Sequence, residues 1–506
     1  MLEFWATNDG ERKYLSLPEN NLDLTYGLFY QQAEKFALHL KKQGLEGGQR
    51  VAVSLENGLN WLIVFWGVLL ADGVIVPLNP NFTPAETSVI LNQAGVQYVI
   101  ADNEGVKALP PELSVATDRF YRTTAVASGK VLVLALSFLP CAASDTTGEN
   151  PSDREAVLLF TSGTTGVPKG VVLTHGNLLA EANFILQGHQ LTHEDIVLCV
   201  LPFFHVNGLV ITLITPVLSG GRAIVPRKFS ATHFWEWVRQ YRVTWFSAVP
   251  TILSILLSQQ KSSDERVSSL RFARSASASL PVAILESFEE RFGVPVIEAY
   301  GLSEAGSQVA TNPLPPKVRK AGSVGLPAGN EIRVVNDGDK VVPNGEVGEV
   351  VVKGPNVTRG YLHNSEVNRE SFKEGWFHTG DLGYFDHEGY LYLTGRRKEL
   401  INRAGEKIAP REVDEVIYRL PEVEIAAAVG VPDKLFGEEI VAFVQLRPGT
   451  GLGEEAIIEY CRTVLAEYKV PKRIFSLNEF PKGPNGKVQR RKLVELYHEL
   501  TGSRPE

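Results

Sequence analysis

The residues best equipped for chemistry lie between Leu158 and Asn177. An apolar run, Leu158-Leu159-Phe160, ends in Thr161-Ser162-Gly163-Thr164-Thr165-Gly166-Val167-Pro168-Lys169. Glycines let backbone N–H groups converge on an anion, hydroxyls add donors, and a lysine brings compensating charge. A chain of this character can wrap a triphosphate. It is not the P-loop of the NTPases, which needs Gly-Lys followed directly by Ser or Thr at a helix start. Here Pro168 precedes Lys169 and Gly170 follows it. Taken alone, the string reads as a polar loop between two strands.

Such a loop needs a rigid frame, and the first 330 residues supply the pattern of one. Leu28 to Leu45 carries apolar residues at helical spacing. Short β-branched runs follow at Arg50–Leu55, Val74–Leu78 and Val96–Ala101, and again at Val197–Leu201, Arg222–Pro226 and Val243–Val249. Strand and helix in alternation predict a parallel sheet with crossover helices, an α/β fold. The rhythm changes near Gly329. From Glu331 to Gly389, short alternating strands are punctuated by Asn336-Asp337-Gly338, Pro343-Asn344-Gly345 and Asp386-His387-Glu388-Gly389, predicting antiparallel hairpins or a small barrel. After Gly395, helix and strand return at Pro410–Leu420, Ile425–Val431, Ile440–Leu446 and Glu454–Glu467. The basic Arg396-Arg397-Lys398 marks the boundary. We therefore expect a large unit over 1–395, with an antiparallel β subdomain at about 329–395, and a small unit over 396–506, long enough to fold as a domain.

Composition narrows the function. The chain has 506 residues, 44% apolar, with a formal net charge of −8. That is an ordinary globular composition, and the acidic balance argues against a nucleic-acid partner. Cys141, Cys199 and Cys461 have neither disulfide-framework nor zinc spacing, as expected of thiols in a reducing cytoplasm. Met1-Leu2-Glu3-Phe4-Trp5 lacks a signal-peptide n-region. The longest apolar run, Trp61 to Ala71, is far short of the ~20 residues that a bilayer span requires, so it is predicted to be a buried helix.

The string Leu159-Phe160-Thr161-Ser162-Gly163-Thr164-Thr165-Gly166-Val167-Pro168-Lys169-Gly170-Val171 resembles the phosphate-binding signature of the adenylate-forming superfamily. That superfamily includes acyl-CoA synthetases, aryl-CoA ligases, luciferases and the adenylation domains of peptide synthetases. Five more matches follow in the family's order. They are Glu298–Gly306, Trp376–Asp381, Gly395–Ile401, Gly405–Pro410 and Pro484–Gln489. The resemblance spans nearly the whole chain. It implies a large domain of parallel α/β sheets with a small β-barrel-like subdomain, and a small mobile α+β domain behind it. It also implies a reaction. A carboxylate attacks the α-phosphorus of ATP, pyrophosphate leaves, and the acyl-adenylate passes its acyl group to the thiol of CoA, with Mg²⁺ as cofactor.

The resemblance assigns roles residue by residue. Lys169 and the loop from Thr161 to Gly166 would hold phosphates, and Glu304 beside Ser303 would hold Mg²⁺ together with the substrate's own oxygens. Ser277, Ala278, Glu298, Ala299, Tyr300 and Gly301 would surround the nucleotide, with Tyr300 facing the adenine. Asp381 would accept the ribose hydroxyls, and Arg396 would approach ribose and phosphate as a fixed-charge fork. Lys487 would bridge the carboxylate and α-phosphate, offsetting the repulsion of two anions. His205 would stand beside the carboxylate and gate it. Asn207, Gly208, Ser275, Gly301, Gly306 and Ser307 would line the acyl pocket. Lys398 would be the hinge about which the small domain swings. Arg403, Gly405 and Lys407 would meet CoA, although Ala404 stands where CoA-using relatives often place a lysine.

The string Ile401–Ile408 and the stretch Arg274–Leu280 are similar to the oxalyl-CoA synthetase and 4-coumarate–CoA ligase-like branch. Histidines that would take a second carboxylate are missing at Asn207 and in the Gly306-Ser307 region, so a fatty or aromatic monocarboxylate is expected. Readings weighed beside it are an oxalate or dicarboxylate ligase, an enzyme loading an acyl carrier protein, a luciferase-like oxygenase, and a silent AMP-binding regulator.

Overall fold

The computed structural model describes residues 1–102, 105–110, 120–127, 130–140, 151–161, 168–259, 267–447, 449–483 and 488–502. Ser162, Gly163, Thr164, Thr165, Gly166, Lys487 and Cys141 lie outside the described residues.

Uninterrupted apolar runs build the frame, because strands covered on both faces have no polar side. Arg50–Ser54 and Val74–Pro77 are buried throughout. With Tyr98–Ala101 and Glu155–Thr161 they form the parallel middle of a seven-stranded sheet, closed on one side by the antiparallel strand Lys169–Thr174. A nine-stranded sheet holds Lys13–Leu17, Arg222–Ile224, Ile196–Leu198, Trp245–Ala248, Phe272–Ser275 and Val296–Leu302 side by side and parallel. The strand Ser307–Thr311 then turns back antiparallel. The helix expected from Leu28 spans Tyr26–Lys42, with the Thr25 hydroxyl accepting from the Leu28 amide. The predicted buried helix is Leu59–Leu70, and no helix among the described residues is long and apolar enough to cross a membrane.

The hairpin region is a five-stranded sheet of Glu331–Val335, Gly348–Lys353, Phe372–Lys373, Trp376–Phe385 and Leu391–Arg396. Its strand pairings are antiparallel. At the last turn, the Asp386 carboxylate accepts the amides of Glu388 and Tyr390, both at 2.9 Å, which explains the aspartate there. Beyond the short turn Arg397–Glu399 comes another five-stranded sheet, of Ile401–Arg403, Glu406–Ile408, Val423–Asp433, Gly437–Leu446 and Arg473–Ser476. The helices Pro410–Ile417, Glu454–Val464 and Arg490–Thr501 flank it. Two apolar clusters, one around Val413 and Ile440 and one around Phe443 and Leu493, take every member from this terminal region.

Two glycines of the expected acyl pocket are demanded by backbone proximity. A Cβ on Gly301 would lie 1.5 Å from the Ser307 carbonyl oxygen, because Val296–Leu302 and Ser307–Thr311 cross there at a register shift. A Cβ on Gly208 would lie 2.2 Å from the Pro202 carbonyl oxygen. Gly208 opens the buried stretch Asn207–Ile214, a wide helical turn whose end is bonded from the Thr215 amide to the Val210 carbonyl. Their small size therefore reports chain crossing before it reports room for substrate. Gly301→Ala is expected to destabilise the large unit by about 2 kcal/mol, the usual scale of overpacking, read as a lowered denaturant midpoint of the apo protein.

Candidate active site

The phosphate string is a hairpin. Glu155–Thr161 and Lys169–Thr174 pair antiparallel, with Thr161 opposite Lys169, which brings the two ends of the string together. One other segment braces the base of this hairpin. The Leu362 amide donates to the Gly170 carbonyl at 2.8 Å, and the Lys169 ammonium lies 5.1 Å from the centre of the Tyr361 ring. The Tyr361 hydroxyl donates to Glu304 Oε1 at 2.8 Å, and the Thr358 amide donates to the Glu304 carbonyl at 2.6 Å. Lys169 and Glu304 are thus referenced to one aromatic side chain. Burial raises the Glu304 carboxyl above its ordinary range, opposed by the Tyr361 hydrogen bond. Among the described residues no three His, Cys, Asp or Glu side chains cluster as a metal cage. One carboxylate beside a hydroxyl fits a magnesium ion that takes most of its ligands from phosphate oxygens.

A cleft opens next to this bracket. Ser277, Ala278, Glu298, Ala299, Tyr300, Gly301, Asp381 and Arg396 all line it. Asp381 is the link between sheets. Its Oδ2 accepts from the Tyr300 hydroxyl at 2.5 Å, and its Oδ1 meets Arg396 Nε at 2.8 Å. The second contact follows from register, because Asp381 and Arg396 are cross-strand partners. Its amide donates to Thr379 Oγ1 at 3.0 Å, and the preceding Gly380 amide donates to Glu349 Oε1, also at 3.0 Å. A carboxylate offers about four acceptor positions, so both oxygens can still accept from a vicinal diol. On the opposite wall, Glu298 Oε1 accepts from the Leu280 amide, while Oε2 is buried without a partner. Burial pushes this carboxyl up to about 7, against the pull of Arg411. An orphaned polar atom aimed into such a cleft fits a hydrogen-bonding ring.

The acyl residues lie behind Ser277. Asn207 Nδ2 donates to Ser277 Oγ at 3.0 Å, and Ser277 holds a left-handed backbone with φ of 73°. The His205 ring lies 4.6 Å from that of Phe204 at a 55° tilt, and its Nε2 is buried without a partner. Burial pushes it down to about 4, so the imidazole is neutral at physiological pH. Ser275 and Ser307 are buried strand residues, and Ser275 Oγ is unpartnered. Gly306 faces Glu181, whose side chain would lie 3.5 Å from an added Cβ.

The terminal region roofs the cleft. Val488 and Arg490 line it alongside Ser277 and Asp381, and Lys482 forms a β-bridge with Val488. Arg411 Nη1 donates across the junction to the Leu393 carbonyl at 2.7 Å. Lys398 sits in the short turn Arg397–Glu399. Gly405 is at a hairpin tip with φ of 92°, beside Ala404 at 52°. These residues do not reach the cleft. Arg403 forks onto Glu439 at 2.7 and 3.1 Å and stacks on Phe436, so its charge is already matched, whereas Lys407 is exposed.

Sequence reasoning assigned no role to Tyr361, Arg411 or Arg490. The Arg359-Gly360-Tyr361 string was the available signal for the first, but a tyrosine after glycine reads as a turn until its partners are known.

The profile of the AMP-binding enzyme family matches residues 2–362, and that of the AMP-binding enzyme C-terminal domain matches 412–487. An oxalate–CoA ligase of Arabidopsis thaliana is 40% identical over 505 residues, 99% of this chain and 98% of its own. A sulfoacetate–CoA ligase of Cupriavidus necator is 40% identical over 486 residues, 96% of this chain and 94% of its own. Among solved structures, ATP-bound MatB from Rhodopseudomonas palustris superposes with a TM-score of 0.85 at 28% identity, covering 97% of each chain. A profile match over most of the length, relatives aligned end to end and a shared architecture agree with the cleft's geometry: this chain belongs to the AMP-binding enzyme family.

Proposed function

We propose that this chain is an AMP-forming acid–CoA ligase. It activates a carboxylic acid with ATP, releases pyrophosphate, and transfers the acyl group from the adenylate to CoA. The observation that carries the reading is the cleft itself. Ser277, Glu298, Tyr300, Asp381 and Arg396 converge from separate strands and loops on one space, and Val488 and Arg490 of the terminal region close it. Curated relatives at 40% identity are named as CoA ligases, which favours CoA over the carrier protein weighed above.

In this reading the domains divide at 395/396, with Lys398 as hinge. The ribose diol sits on Asp381, which Tyr300 and Arg396 hold still. The Thr161–Gly166 string and Lys169 hold the phosphates. Magnesium, held by Glu304, neutralises developing phosphate charge when bound. Lys487 comes from the roof to lie between the two anionic reactants, where an ammonium stabilises the charge that builds as the P–O bond to pyrophosphate breaks. Neutral His205 stands by the acid without repelling or capturing it. With the roof swung away, the Gly405 hairpin and Lys407 meet CoA.

Pyrophosphate release on a panel of acids, with and without CoA, tests the activity; release with no acid at all contradicts it. Lys487→Ala is expected to slow adenylate formation by about 10²–10³, the scale of losing one preorganised charge, while thioester formation from pre-made adenylate survives. Equal loss of both half-reactions sinks the split-site assignment. Lys398→Pro should do the reverse, sparing the first half-reaction and blocking the second, measured in single turnovers. Tyr361→Phe removes only the hydroxyl on Glu304 and should lower the adenylation rate by about tenfold, the value of one buried hydrogen bond to a charged group, with the magnesium dependence shifted to higher concentration.

A further inference from the structure

Behind Asn207 the fold buries a positive charge. Arg274, on the strand Phe272–Ser275, is 1% exposed. Its Nη1 donates to Ser247 Oγ at 3.0 Å and to Asn207 Oδ1 at 3.1 Å, and its Nε and Nη2 both donate to Gln308 Oε1. All three acceptors are neutral. The carboxyl group that acts on it through space is Glu181, itself fully buried, whose oxygens accept from the Gln308 amide and Asn356 Nδ2 rather than from the guanidinium. A buried guanidinium hydrogen-bonded only to neutral acceptors is a costly feature, and it creates a positive potential around itself.

The same guanidinium decides which way the neighbouring amide points. Arginine has donors only, so the Asn207 atom that faces it must be the carbonyl oxygen. Ser247 Oγ, which accepts a hydrogen bond from Arg274, donates its O–H to Asn207 Oδ1 at 2.7 Å. Both contacts lock the amide. Nδ2 then faces Ser277, gives one N–H to the Ser277 oxygen, and keeps a second. Ser277 Oγ, as acceptor of that bond, has its own O–H left to donate, and Ser277 lines the cleft. Its left-handed backbone, with φ of 73°, is a local strain at the cleft wall.

We propose that Arg274 is a positioning residue that makes Asn207 and Ser277 a pair of donors at the acyl end, and that the acid activated here is a short one bearing a second anionic group, a carboxylate or a sulfonate. This rests on the ligase reading and names its substrate class. It departs from the fatty or aromatic monocarboxylate expected from the missing histidines. The cation sought at position 207 is present one shell deeper, and Asn207 relays its polarity. An alkyl chain or a phenyl ring placed there would leave both donors and the charge without a partner, the arrangement by which polar sites reject apolar analogues.

The test is a specificity ratio. With the full-length enzyme, ATP, Mg²⁺ and CoA, kcat/KM is measured for oxalate, malonate, succinate and sulfoacetate against acetate, propionate, butyrate and benzoate. The expected result is a preference of about 100-fold or more for at least one doubly anionic acid over its matched monoanion. Asn207→Asp keeps the side-chain shape but replaces the donor by an acceptor and pairs off the guanidinium. It should lower that ratio by about tenfold or more, chiefly through KM for the acid, and a general packing defect does not move a ratio. Arg274→Lys should retain more of the ratio than Arg274→Met. Pyrophosphate release that favours alkanoates or benzoate overturns this inference and leaves the ligase reading standing. Release with none of the eight acids or a wider panel overturns both, and a ratio unchanged in Asn207→Asp removes the donor pair.

Discussion

The carboxylate of Asp381 is where this structure is tied together. It joins a strand of the nine-stranded sheet, through the Tyr300 hydroxyl, to the edge of the antiparallel sheet, through Arg396. Asp381 is only 6% exposed, so the pairing works at reduced dielectric, and removing either partner would leave a buried charge poorly compensated. Two other oxygen positions remain open to the cleft. The same group therefore sets how two sheets meet and what the cleft can bind. Every other wall is placed by reference to that joint. Ser277 and Glu298 stand on the two neighbouring parallel strands or their ends, and the roof is hung from the chain two residues beyond Arg396.

The second bracket has the same logic at the phosphate end. Tyr361 touches Lys169 with its ring and Glu304 with its hydroxyl. A cation and a carboxyl group, which in the proposed reading serve one triphosphate, are spaced by a rigid aromatic side chain. Its segment is itself fixed by backbone bonds to Gly170 and Glu304.

Much of this was legible from residue order alone. The phosphate string, the Glu298–Glu304 string and Asp381 are contiguous motifs, and alternating β-branched runs and helical stripes announce a parallel sheet wherever burial is two-sided. Boundaries were less legible. The helix predicted over Pro410–Leu420 ends at Ile417, and the strand over Val197–Leu201 ends at Leu198, the latter because Cys199, Val200 and Leu201 stay buried after the backbone leaves the ladder. Contacts assembled from distant segments were not legible at all. Arg274 meets Asn207, Ser247 and Gln308 from three other parts of the chain, and nothing in Arg274-Ser275-Ala276 reveals that its charge is sealed inside. Gly301 and Gly208 carried a misleading signal, since a small residue looks the same whether it makes room for a ligand or for a neighbouring carbonyl.

The position of Arg396 has one more consequence. Of the residues that line the cleft, Pro250 to Arg396 precede the turn at Arg397–Glu399, and Pro410 to Arg490 follow it. Under the proposed ligase reading, rotation about that turn would uncover the mixed anhydride without loosening its adenosine half. The reactive intermediate would stay moored while the face through which it is attacked is exchanged, so diffusion of a labile species into water would compete with a short rigid-body motion rather than with a second encounter.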